Sequence, residues 1–95
     1  MKSKATRSGG AIELGRYIIS DPLICHGKPT FKGTRIMVWQ VLDALSRGES
    51  WDDISNAWEG RITKDAIAEV IRLAAEALLD EGGHLVKSAT RRLAA

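Results

Sequence analysis

MVWQVLDALSRGESWDDISNAWEGRITKDAIAEVIRLAAEAL, residues 37–78, is the stretch whose reading decides the fold. Val38, Val41, Leu42 and Leu45 fall at the i, i+3, i+4, i+7 spacing of one face of an amphipathic helix. Gly48 ends that helix, with Arg47 in the last turn, where the helix dipole favours a cation. Ser50 opens a second helix, because its hydroxyl stands three residues before Asp53 in a variant of the capping box. The predicted inner face of this helix is Trp51, Ile54 and Trp58, and Gly60 closes it. Thr63 caps a third, longer helix and places Asp65 in its first turn. Ile67, Val70, Ile71, Ala74, Ala75 and Leu78 form the apolar stripe of this last helix, and Gly82-Gly83 is its expected stop. Three helices joined by short turns make a compact bundle or a helix-turn-helix. No heptad seam is sustained, so a coiled coil is not expected.

The residues before this stretch read differently. Tyr17, Ile18 and Ile19 form a short β-favourable run. Asp21-Pro22 stops it, since a residue preceding proline is driven out of the helical region. Gly27-Lys28-Pro29 and Lys32-Gly33-Thr34-Arg35 then bracket Thr30-Phe31, which gives short extended pieces and tight turns: a hairpin or an arm. Gly33 suits a turn with positive φ, and Thr34 suits capping or orienting the entry to the first helix. The fold expected is mostly α, a three-helix bundle with a short N-terminal β-arm or hairpin. Residues 1–10 are expected as a flexible basic arm, 11–86 as a single domain and 87–95 as a flexible basic tail.

Charge divides along the same line. Residues 1–35 hold seven Lys/Arg against Glu13 and Asp21, whereas residues 36–86 hold four against ten Asp/Glu. Lys87, Arg91 and Arg92 make the end basic again. The body is acidic and the extremities are basic. No window approaches the roughly 20 apolar residues that span a membrane, and no signal-peptide-like stretch follows the N-terminal lysines. A cytoplasmic protein with no membrane partner is the expectation. Few residues remain for a core, which favours a homodimer or another partner.

Catalytic and metal chemistry find little support. Cys25-His26 with His84 supplies too few ligands for zinc at any known spacing. A cysteine–histidine nucleophile needs the base to face the thiol, whereas neighbours in an extended segment point to opposite sides. Gly27-Lys28-Pro29 and Lys32-Gly33-Thr34 lack the spacing of a phosphate loop. Asp52-Asp53 is what a helix start favours electrostatically rather than an acid–base pair. No enzyme activity, catalytic residue, cofactor or metal site is therefore expected. Binding residues remain. Lys28, Lys32, Arg35, Arg61, Thr63 and Lys64 are the candidates for nucleic-acid contact. Tyr17, Ile18, Ile19, Phe31 and Trp39 are the candidates for a protein interface. Against DNA stands the third helix, where Asp65, Glu69, Glu76, Asp80 and Glu81 face only Lys64 and Arg72, an excess that repels phosphates.

Asp21-Pro22, Gly27-Lys28-Pro29 and Gly33-Thr34-Arg35-Ile36, continued by Val38 to Leu45, Gly48-Glu49-Ser50 and the Thr63–Leu78 helix, resemble a bacterial family known as domain of unknown function 433. The resemblance spans Ile18 to Leu78. This chain departs from the family pattern with His26 in place of a glycine, Met37 in place of a proline and Trp58-Glu59 in place of a tyrosine-proline. The resemblance implies a winged- or homeodomain-like helix-turn-helix fold, often dimeric. It further implies an antitoxin of a type II toxin–antitoxin pair, binding a PIN-like ribonuclease toxin and repressing its own operon through operator DNA. The alternatives are a DNA-binding regulator without a toxin and a structural or adaptor dimer.

Overall fold

A computed structural model describes residues 10–86. The expected basic arm, Gly10 apart, and the expected tail at 87–95 lie outside the described residues. In chain order the elements are β1 (Ile12–Glu13), β2 (Ile18–Ser20), a single turn at Cys25–Gly27, β3 (Thr30–Phe31), α1 (Val38–Ser46), α2 (Trp51–Ala57) and α3 (Lys64–Leu78). The strands form one antiparallel sheet in the order β1-β2-β3. Ile12 stands opposite Ser20, and Ile18 opposite Phe31. The fold is thus three helices with a small antiparallel sheet. Its β part is a three-stranded meander, larger than the arm or hairpin expected.

The helix boundaries follow their caps. Ser50 Oγ accepts the Asp53 amide at 3.0 Å, and Thr63 Oγ1 accepts the Ala66 amide at 3.1 Å, so each satisfies a donor that the first helical turn leaves free. Thr34 orients the entry to α1 rather than capping it. Its hydroxyl donates to Phe31 O at 2.8 Å and accepts from Ile36 N at 3.0 Å, which locks the β3–α1 turn. Met37 is the extended residue before α1, and its amide donates to Gln40 Oε1 at 2.9 Å. At the other end, α3 stops before Gly82-Gly83: Leu79 is already extended and bridges to Leu85.

One core draws on every helix and on two strands. Ile18, Phe31, Val41, Ile54, Ile67 and Val70 meet there, with Ile36 and Ile62 from the turns. Two expectations about its composition fail. Trp51, the first residue of the seven-residue α2, is exposed, and Ile54 alone fills the core from that helix. On α3 only Ala66, Ile67 and Val70 of the apolar residues are buried, because the last two turns run past the elements that cover the first two. Ile71, Ala74, Ala75 and Leu78 are left exposed.

A polar residue completes the packing. Glu69 lies on the buried face of α3 and is only 5% exposed. Its carboxylate accepts the amides of Arg16 and Tyr17, both at 2.8 Å, and so clamps the β1–β2 connection onto α3. A charge this deep is tolerated because both oxygens are hydrogen-bonded, with the Arg72 guanidinium at 3.5 Å. Thr30 Oγ1 is the opposite case, a fully buried hydroxyl with no hydrogen-bond partner among the described residues.

Candidate functional site

Two surfaces stand out. The first is an open cleft of about 720 Å³ between the β3–α1 turn and the α2–α3 connection. Gly33, Thr34, Arg35 and Ile36 supply one wall, Gln40 and Ile24 continue it, and Trp58 with Arg61 supplies the other. Gly33 takes a φ of +77° and has open space where a side chain would stand, which lets the backbone turn without crowding the cleft. The Thr34 hydroxyl fixes the same turn. Cys25, His26 and Gly27 form a left-handed turn, with φ of 52°, 58° and 84°. The expected extended Cys25-His26 pair is therefore absent. Instead the Cys25 thiol lies 3.6 Å from Arg35 O, beside the residue it helps to place. Glu59, also left-handed with a φ of 57°, turns the chain between Trp58 and Arg61 on the far side.

The second surface is an apolar groove of about 540 Å³ along the outer half of α3. Leu14, Pro29, Val38 and Leu42 face Leu73, Ala74 and Ala77 across it, and Glu76 is the polar residue lining it. Ile71 and Leu78, 40% and 41% exposed, extend the apolar strip onto the neighbouring face of the helix. Asp80 and Glu81 follow directly in sequence.

The six nucleic-acid candidates separate in space. Arg35 and Arg61 are brought together at the cleft, and neither makes an ion pair among the described residues. Lys32 instead pairs with Glu13 at 3.4 Å, and Lys64 with Asp52 at 2.6 Å. The Thr63 hydroxyl is spent on its cap. Lys28 is exposed and stands outside the lining of the cleft. Since Lys64 and Thr63 are both engaged, the start of α3 offers little to a phosphate. The acidic excess of that helix is also smaller at the surface than its sequence suggests, because Glu69 points inward.

The interface candidates need a larger correction. Ile18, Ile19 and Phe31 are buried, because the sheet they belong to packs its apolar side onto the helices. Ile19 and Phe31 line neither surface, and Ile18, 1% exposed, reaches only the floor of the apolar groove along α3. Tyr17 is half-buried, its ring 5.4 Å from the Arg16 guanidinium and its amide held by Glu69. Trp39 alone remains outward, 54% exposed. Sequence reasoning missed Gln40 and Trp58 as cleft residues, and missed that Ile71 and Leu78 face solvent. A signal for the last existed: α3 is the longest helix, and nothing expected in the fold was long enough to cover it.

No group of three or more potential metal ligands occurs among the described residues, and no helix among them is long and apolar enough to cross a membrane. Residues 18–74 match the family model described as Protein of unknown function (DUF433). No curated protein and no solved structure matches the chain.

Proposed function

We infer the function of this chain, which belongs to the DUF433 family, from the apolar surface that α3 leaves open. The proposal is an antitoxin: a dimeric, helix-turn-helix-type protein that binds and silences a PIN-like ribonuclease toxin in the cytoplasm. The observation that carries it is the groove, with Ile71 and Leu78 beside it. A contiguous apolar surface of this kind on a small domain marks an interaction site. Its form, a trough between α1 and α3 that the β1–β2 connection and Pro29 continue, suits an amphipathic segment of a partner. Its charge narrows the partner. Glu76 lines the trough and Asp80 and Glu81 follow it, an arrangement complementary to the basic face on which a ribonuclease holds RNA. No catalytic role is assigned to any residue. Repression of the operon by the complex belongs to the same reading.

The test is co-expression with the chromosomal neighbour, followed by co-purification and a ribonuclease assay on the neighbour alone and in complex. A complex with suppressed nuclease activity supports the antitoxin. A neighbour that fails to co-purify, or that retains full activity in the complex, refutes it.

A further inference from the structure

The cleft at Arg35 and Arg61 takes no part in the reading above, and its residues have a chemistry of their own. Two arginines, Arg35 and Arg61, line it from segments far apart in sequence, and neither has a carboxylate partner among the described residues. Arginine in that state is a ready bidentate donor to phosphate. Trp58, half-buried, and Gln40 line the same cleft. Gln40 Oε1 is occupied by the Met37 amide, which leaves its NH₂ group as a donor. An indole beside paired guanidiniums is the combination that holds a base and its phosphate together, the base stacked on the ring and the phosphate on the charges. An acidic peptide would use the arginines but not the indole. The volume of about 720 Å³ lies in the range of small-molecule pockets and exceeds what a bare anion needs.

We propose that this cleft binds one nucleotide unit, its phosphate held by Arg35 and Arg61 and its base against Trp58. The unit is a free nucleotide or an unpaired residue of a single strand, because a base within a duplex is stacked on its neighbours. The backbone around the cleft is built to hold this geometry: the Thr34 hydroxyl locks the Arg35 wall, and the left-handed Glu59 sets Trp58 against Arg61. The site is separate from the groove along α3, so it stands or falls independently of the toxin.

The test uses the full chain with Trp39 and Trp51 changed to phenylalanine. Both are exposed, and Trp58 becomes the sole indole reporter. Adenosine monophosphate, a labelled single-stranded hexanucleotide and a duplex of the same sequence are titrated, with a poly-glutamate peptide as competitor. Binding of the mononucleotide or of the hexamer with quenching of Trp58 is expected. Arg35→Gln with Arg61→Gln should weaken it roughly tenfold to a hundredfold, the range for losing charged hydrogen bonds. Those arginines are exposed and make no ion pair among the described residues, so the melting temperature should not move. The mononucleotide and hexamer arms identify which source supplies the unit. No binding, binding indifferent to the arginine changes, a preference for the duplex without quenching, or displacement by poly-glutamate at equal concentration would each overturn the proposal.

Discussion

Glu69 and Gly15 make a coupled pair whose energetics follow from four distances. The carboxylate of Glu69 accepts the Arg16 and Tyr17 amides, both at 2.8 Å. A Cβ placed on Gly15 would stand 2.6 Å from Oε1 and 2.7 Å from Oε2. Hydrogen bonds to a charged group contribute roughly 1.5–3 kcal/mol each, so Glu69→Ala should cost about 3–4 kcal/mol once water repairs part of the loss. That is a large share of the roughly 5–10 kcal/mol available to a domain of this size. Gly15→Ala meets no backbone objection, because Gly15 does not lie in the left-handed region. Its penalty comes from the carboxylate. To admit the methyl group, Glu69 must withdraw and lengthen both amide bonds, at about 2–3 kcal/mol. In the Glu69→Ala background there is nothing to displace, and the same methyl group should be neutral or stabilise by about 0.5 kcal/mol through the unfolded chain. Urea unfolding of the wild type, both single variants and the double variant gives the coupling directly. A coupling of about 2 kcal/mol or more is expected. Additivity within about 0.5 kcal/mol would refute the clamp, and Glu69→Gln, which keeps one acceptor, should fall between wild type and Glu69→Ala.

Three further outcomes follow from single residues. Thr30 Oγ1 is buried without a partner among the described residues, so Thr30→Val should raise stability by about 1 kcal/mol, a gain of roughly 4–8 °C in the melting temperature; a lower melting temperature would contradict it. His26 occupies a left-handed position with a φ of 58° and an exposed side chain, so His26→Gly should stabilise by about 0.5–1 kcal/mol in thermal melts, and a loss would show that its side chain matters. Ile71→Lys and Leu78→Lys remove apolar surface already in solvent; circular dichroism should show an unchanged fold, whereas light scattering should report any self-association lost.

The helical part of the fold was legible because its signals are local. The stripe Val38, Val41, Leu42 and Leu45 and the caps at Ser50 and Thr63 lie within a few residues of the structures they specify. The sheet was half legible: Ile18 and Ile19 read as extended, but pairing of β1 with β2 depends on Glu69, far along the chain, reaching back to Arg16 and Tyr17. An acid set among Ala66, Ile67 and Val70 was a signal of burial, yet its partners are backbone amides that no side-chain pattern discloses. The interface residues were misplaced for a related reason. β-Branched and aromatic side chains look alike on a docking surface and in a core, and only the packing of the sheet decides for Ile18, Ile19 and Phe31. Arg35 and Arg61 were both singled out as basic residues, but their meeting with Trp58 is a tertiary event.

The most direct measurement of the central claim is co-purification of the tagged chain with its co-expressed neighbour, made in parallel with wild type and with the Ile71→Lys, Leu78→Lys double variant, and read out by the neighbour's ribonuclease activity. A wild-type complex in which the nuclease is silent is expected, and a folded double variant that releases it. A complex that survives both lysines with the nuclease still silenced would place the interface away from the Ile71–Leu78 face of α3, and the absence of any wild-type complex would contradict the antitoxin reading itself.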